Sequence, residues 1–114
     1  MSRHRDRVSL NDMLTHSREA SEMLDECKRE DFDENRILQL ALTRLVEVIG
    51  EAANRVSKES QGNYSEIPWP LIIGMRNKLI HGYDVIDLDL LWDTVKTDLP
   101  PLIELLEQIL AEDP

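Results

Sequence analysis

Apolar residues recur along most of this chain at spacings of three and four, which is the period of an amphipathic α-helix. The first such segment covers residues 10–29, and Ser9 and Asp12 have the spacing of a capping box at its start. The second covers residues 37–56 and is apolar on most of its circumference, so it is either central or lies in an interface. Asp33, in the acidic turn between these segments, is the expected N-cap of the second helix.

The middle of the chain predicts a loop followed by a third helix. Residues 57–67 are polar and contain a Gln-Gly-Asn sequence, which is typical of a loop. Pro68 and Pro70 then open a helix, because proline fits the first helical turn, where its missing N–H has no partner in any case. Gly82 lies where this helix would stop at a left-handed residue.

The last third of the chain continues the helical pattern. Asp87 is placed to cap a fourth helix, and Pro100–Pro101 break or kink the chain before a final amphipathic segment at 102–110. No alternating run bounded by hairpin turns is present in the sequence. We therefore expect one all-α domain over residues 1–114, a four- to five-helix up-and-down bundle with residues 1–8 as a flexible tail.

Composition and charge indicate a soluble cytoplasmic protein with a confined binding site. The single cysteine, Cys27, excludes an intramolecular disulfide, and the longest apolar run, residues 71–75, is too short to span a bilayer. A net charge of −10 argues against a broad nucleic-acid-binding surface, which needs clustered Lys and Arg. Residues 69–83, however, hold two basic and no acidic side chains.

This basic segment also concentrates the side chains best suited to chemistry: Arg76, Asn77, Lys78, His81 and Tyr83. On a regular helix, Arg76 and Tyr83 would lie about 20° apart, but Arg76 and His81 would lie about 140° apart. One helix face therefore cannot present both Arg76 and His81. Either the helix ends irregularly near His81, or two copies of the chain meet across a two-fold axis so that their motifs face each other.

An arginine and a histidine together suit the cleavage of RNA. Arginine can hold a phosphate and stabilise its developing charge, while histidine can take or give a proton near neutral pH. RNA carries its own nucleophile, the 2′-hydroxyl, so no metal is required, and no metal-ligand spacing or glycine-rich phosphate loop is present in the sequence. The same side chains could instead be helix caps, surface charges or packing residues.

The sequence Arg76-x4-His81-x-Tyr83 matches the signature of the HEPN superfamily, and specifically resembles the HepT-like ribonuclease toxins. Further blocks resemble the same family in the expected order, at residues 48–53, 66–69, 74–77 and 99–100. The resemblance extends from about residue 8 to 110, which is nearly the whole chain.

The resemblance implies an all-α homodimer that cleaves tRNA or mRNA without a metal or other cofactor. It implies that Arg76 and His81 are the catalytic pair, with Asn77, Lys78 and Glu51 in supporting positions. It also implies a type VII-like toxin–antitoxin system, in which a minimal nucleotidyltransferase is the antitoxin and transfers AMP from ATP to Tyr83. Adenylylation would place bulk and negative charge beside Arg76, where an RNA phosphate would otherwise bind.

Two other functions stay open at this point. The acidic composition is also compatible with a non-catalytic helical module that binds nucleotides or positions the substrate of a nucleotidyltransferase. A purely structural helical dimer is the third possibility. Mutation of Arg76 or His81 distinguishes them, because only the ribonuclease loses a chemical activity.

Overall fold

The fold is an all-α bundle, as the sequence predicts. The computed structural model describes the backbone of residues 2–81 and 85–112 and the side chains of residues 4–80 and 85–112. The helices are α1 (Ser2–Leu24), α2 (Arg29–Asp33), α3 (Arg36–Arg55), α4 (Lys58–Asn63), α5 (Trp69–Ile73), α6 (Met75–Leu79), α7 (Leu88–Asp93), a π-helical segment (Thr94–Asp98) and α8 (Leu99–Glu112). Two short strands are β1 (Ile80–His81) and β2 (Val85–Ile86).

Of the three long helices, α1 runs antiparallel to both α3 and α8, and the start of α1 lies beside the end of each. Arg7, near the start of α1, donates to the carbonyl of Leu110 near the end of α8, at 3.4 Å. At the opposite end, the ammonium of Lys96 donates to the carbonyl of Leu24, at 3.2 Å. Between the helices lies a core of aliphatic side chains with few aromatic ones, including Met13, Leu24, Phe32, Leu42, Ile49, Leu79, Leu91, Leu99 and Leu106. None of the helices described has the length and apolar composition needed to cross a membrane.

Helix α1 begins at Ser2 and not near residue 10, so residues 2–8 are helical and do not form the predicted tail. The cause is a tertiary contact of Asp6, whose side chain is buried. Its carboxylate accepts hydrogen bonds from the amide and hydroxyl of Ser57, at 2.9 and 2.6 Å, and from the hydroxyl of Ser60, at 2.5 Å. Ser9 is buried inside the helix, so the predicted capping box is wrong.

Helix α3 is capped by Asn35, whose side chain accepts a hydrogen bond from the amide of Leu38 at 3.0 Å. The prediction of Asp33 as this cap is wrong, because Asp33 is the last residue of α2. Helix α2, which the sequence did not predict, is joined to α3 by Gln39. The buried side-chain amide of Gln39 donates to the carbonyls of Phe32 and Asp33 at 3.0 and 3.1 Å.

The predicted loop at 57–67 contains the short helix α4. Ser57 is its N-cap, with a side chain that accepts from the amide of Ser60. This hydroxyl also donates to Asp6, so one serine begins α4 and holds the start of α1. The buried amide of Gln61 donates to the carbonyl of Val56 at 3.0 Å.

The third predicted helix is present but divided and shorter than expected. Trp69 and Pro70 begin α5, Gly74 separates it from α6, and α6 ends at Leu79, before Gly82 is reached. The chain then turns to extended backbone at Ile80 and pairs β1 with β2 in antiparallel register. The amide of Asp87 donates to the carbonyl of Leu79 at 2.7 Å, and this bond joins the two ends of the segment between α6 and α7. The sequence did not predict these strands.

The prediction for the C-terminal third is largely confirmed. The side chain of Asp87 caps α7 by accepting from the amide of Leu90 at 3.0 Å. The two prolines do not stop the helix, because the five residues before α8 widen into a π-helix. A proline cannot donate to the carbonyl four residues earlier, and a π-helical turn changes which carbonyls need partners.

Candidate active site

Gly50 sets how closely the candidate site approaches the central helix. A β-carbon on Gly50 would lie 3.1 Å from the carbonyl oxygen of Ile72 and 3.2 Å from that of Ile73. Most side chains cannot accept such short contacts, so glycine lets the backbone of α5 rest directly on α3. Helix α6 follows at once, and this contact therefore positions Arg76 against α3.

Arg76 meets a carboxylate of α3. Its Nε lies 3.1 Å from Oε2 of Glu47, which lies one turn before Gly50. The side chain of Arg76 is 48% exposed, so the rest of its guanidinium stays accessible to a ligand. The ion pair fixes the base of an otherwise flexible side chain.

Glu47 is itself held from its other side. Its Oε1 accepts a hydrogen bond from Nη1 of Arg44 at 2.6 Å, and this bond raises the pKa of Arg44 above its ordinary value. Arg44 also lies 3.6 Å from a carboxylate oxygen of Glu51. The exposed side of α3 thus carries one arginine and two glutamates, and Arg76 of α6 joins their network, with Glu47 between Arg44 and Arg76.

The three supporting residues predicted from the sequence lie around this network. Asn77 and Lys78 are exposed on α6, next to Arg76 in the chain. Glu51 is 46% exposed and lies 3.6 Å from Arg44. The structure thus brings Glu51 into the network through Arg44, and leaves Asn77 and Lys78 facing solvent.

The second of the predicted catalytic residues lies on non-helical backbone. His81 is the last residue of β1, so it follows the end of α6 and does not share a helix face with Arg76. This agrees with an irregular helix end, the first of the two solutions expected from the helical spacing. The side chain of His81 and the whole of Tyr83 lie outside the described residues.

Glu47 is the site residue that the sequence did not single out. Its pair with Arg44, three residues earlier on α3, has the ordinary spacing of a helical ion pair. The pair with Arg76 joins residues 29 positions apart in the chain. No local pattern contains such a contact. The only signal was that Glu47 is an acidic residue on a largely apolar helix.

Comparison with known proteins agrees with the motif. The family model described as "Ribonuclease HepT-like" matches residues 13–109. A protein of Thermococcus cleftensis described as "Probable ribonuclease HepT" is 40% identical over 98 residues, which cover 82% of this chain and 89% of that protein. A Methanocaldococcus jannaschii protein described as a "Putative RNase" is 32% identical over 102 residues, which cover 90% of this chain and 94% of that protein.

A second "Putative RNase", from Caldanaerobacter subterraneus subsp. tengcongensis, is 37% identical over 84 residues, covering 74% of this chain and 75% of that protein. No solved structure matches the chain significantly. The family match covers far more than half of the chain and includes both the Arg76–Glu47 pair and the motif at 76–83. The protein therefore belongs to the HepT-like ribonuclease family of the HEPN superfamily.

Proposed function

We propose that this protein is the toxin of a toxin–antitoxin pair and acts as an endoribonuclease on tRNA or mRNA without a metal ion. The observation that supports it most is Arg76, half-exposed and held at its base by Glu47, within a chain of a ribonuclease family. A guanidinium presented in this way can bind a phosphate and stabilise the additional negative charge of the transition state.

The proposed reaction is an internal transfer at phosphorus. The 2′-oxygen of the ribose attacks the adjacent phosphorus, the bond to the 5′-oxygen breaks, and a 2′,3′-cyclic phosphate and a 5′-hydroxyl result. One proton leaves the 2′-hydroxyl and one joins the 5′-oxygen. His81 would accept the first proton and donate the second. Asn77 and Lys78, exposed beside Arg76, would contact the phosphate or the neighbouring ribose.

This assignment predicts a specific loss of activity in His81→Ala. Purified protein incubated with tRNA in the presence of chelator should cleave it, and the variant should be at least about 100-fold slower, the usual contribution of a proton-transferring residue. His16→Ala is the matched control, because His16 is a histidine of α1 that pairs with Glu19. Equal activity of wild type and His81→Ala would refute the assignment and favour a non-catalytic subunit.

Control of the toxin is proposed to act through Tyr83. A partner nucleotidyltransferase supplied with ATP would attach AMP to the phenol oxygen of Tyr83 and release pyrophosphate. The added phosphate would compete with RNA for Arg76. Peptide mass spectrometry after co-expression should show the added adenylyl mass on the peptide that contains Tyr83, and not on the one with Tyr64, a partly buried residue. An unmodified Tyr83 peptide would contradict this part of the proposal.

A further inference from the structure

A second surface of the molecule carries cationic groups that the proposed site does not use. An open groove of about 430 Å³ lies between the N-terminal half of α1 and the end of α3. It is lined by His4, Arg5, Val8, Ser9, Asp12 and Arg55. Two arginines and a histidine thus face one aspartate, in a chain whose net charge is −10.

Among the described residues, the two arginines of the groove differ from four other arginines in having no carboxylate partner. Arg18, Arg29, Arg44 and Arg76 each lie within ion-pair distance of a carboxylate. Within the part of the chain that the structure describes, neither Arg5 nor Arg55 has such a carboxylate. Their charge is therefore available to an anionic ligand.

The groove has a defined shape because Asp6 joins its two sides. Burial raises the pKa of Asp6, but hydrogen bonds from Ser57 and Ser60 outweigh burial and lower this pKa below its ordinary value. The charged carboxylate thus ties the start of α1 to the residues that follow α3. Arg5 directly precedes Asp6, and Arg55 lies two residues before Ser57. The bonds between Asp6 and Ser57 therefore hold the two arginines on opposite sides of the groove.

The groove lies at a distance from Arg76 that a short RNA segment can bridge. Arg55 is eight residues beyond Glu47 on α3, about 12 Å along the helix axis. The two positions are about 80° apart around the axis, so both belong to its exposed side. A stacked strand advances about 3.4 Å per nucleotide, so this span corresponds to three or four nucleotides.

We propose that this groove binds the phosphate backbone of the RNA substrate, three or four nucleotides from the bond that is cleaved. The proposal rests on the proposed ribonuclease function. Arg5 and Arg55 contact phosphates, and the half-exposed side chain of Val8 offers an apolar surface to a base or ribose. The groove gives an acidic protein a second, local region of affinity for a strand, without a generally basic surface.

The test is the salt dependence of RNA binding. A fluorescent 12-nucleotide RNA with 2′-O-methyl riboses binds without being cleaved, because its nucleophile is blocked. Each phosphate contact contributes about 0.7 to the slope of log affinity against log salt for a single strand. The double variant Arg5→Gln/Arg55→Gln should therefore lower this slope by about 1.4 and weaken binding severalfold at low salt.

Two controls make the result specific. Arg18→Gln removes the same charge from α1, but Arg18 pairs with Glu107 and lies about 140° around the helix from Arg5, so it should leave the slope unchanged. Cleavage of a dinucleotide, which is too short to reach the groove, should be equal in wild type and the double variant. Thermal melting followed by circular dichroism should show that both variants fold.

The outcomes separate this inference from the proposed function. Binding and cleavage by wild type with an unchanged slope in the double variant would refute the groove and keep the ribonuclease. A groove-dependent slope without cleavage would refute the ribonuclease and keep RNA binding at the groove. Loss of binding to a protein partner, with RNA binding intact, would show that the groove is a protein interface and overturn the inference.

Discussion

At the scale of single residues, the site depends on how one arginine is held. Arg76 is half-exposed, and a free arginine on a surface helix samples many rotamers, whose loss costs free energy when a phosphate binds. Its ion pair with Glu47, which Arg44 holds in turn, removes part of that cost before the substrate arrives. Glu47 is thus a positioning residue, although its own charge would repel a phosphate.

These opposing effects predict different changes in kcat and KM for Glu47→Gln. Loss of the ion pair should misplace Arg76 and lower kcat about tenfold, equivalent to about 1.4 kcal/mol. Loss of the negative charge should leave KM for RNA unchanged or lower it, because a carboxylate beside a phosphate weakens binding. Steady-state cleavage of a fluorogenic RNA measures both quantities.

The matched control for this variant is Glu59→Gln, which removes the same charge at an exposed position of α4. It should change neither constant. A rise in KM with constant kcat in Glu47→Gln would mean that Glu47 contributes to substrate binding and does not position Arg76.

At the scale of helices, the site is built where α3 and α5 touch. The two backbones meet at Gly50, and the short α6 follows α5 with only Gly74 between them. Any change in this contact moves the helix that carries Arg76 relative to the one that carries Glu47. The end of α6 at Leu79 then determines that His81 stands on extended backbone.

Gly50→Ala tests this contact. The added methyl group would lie 3.1 and 3.2 Å from two carbonyl oxygens, so α5 must move by a few tenths of an ångström. Overpacking of this kind should destabilise the protein by about 1–2 kcal/mol and lower RNA cleavage with it. Urea denaturation measures the change in the free energy of unfolding.

Gly62→Ala provides the comparison, because a β-carbon there has no atom within 4 Å and Gly62 lies inside α4. This variant should be as stable as wild type or up to about 1 kcal/mol more stable, since alanine favours helix. Equal stability of Gly50→Ala and wild type would show that the close approach of α3 and α5 is not required.

At the scale of the whole molecule, the exposed side of α3 suits contact with a second copy. Ile37 is 81% exposed and Leu40 is 48% exposed, and both lie on the side of α3 that carries Arg44 and Glu47. Large apolar side chains exposed together often mark an interface. We propose that two copies meet there across a two-fold axis, which would bring two Arg76 sites into one cleft.

This arrangement predicts that Ile37→Lys dissociates a dimer. Light scattering after size exclusion should give the mass of two chains for wild type and of one chain for the variant, because a buried lysine without a partner is costly. Met23→Lys is the control, since Met23 is a partly exposed apolar residue of α1. A monomeric wild type, or a dimer that persists in Ile37→Lys, would contradict this interface.

The sequence by itself determined the all-α class, the caps and prolines that begin the later helices, and the motif that places the chain in its family. Hydrophobic period and capping are local properties, so they can be recognised from neighbouring residues alone. Asp87 and Pro70 are examples of such local signals.

The tertiary structure decided what depends on residues distant in the chain. Asp6 extends α1 by bonding to Ser57 and Ser60, and Glu47 receives Arg76 because Gly50 lets two helices touch. None of these partners is within one helical turn of the other, so no periodic pattern contains them. For the same reason, the motif can be recognised from the sequence alone, whereas the contact between Arg76 and Glu47 exists only in the folded bundle.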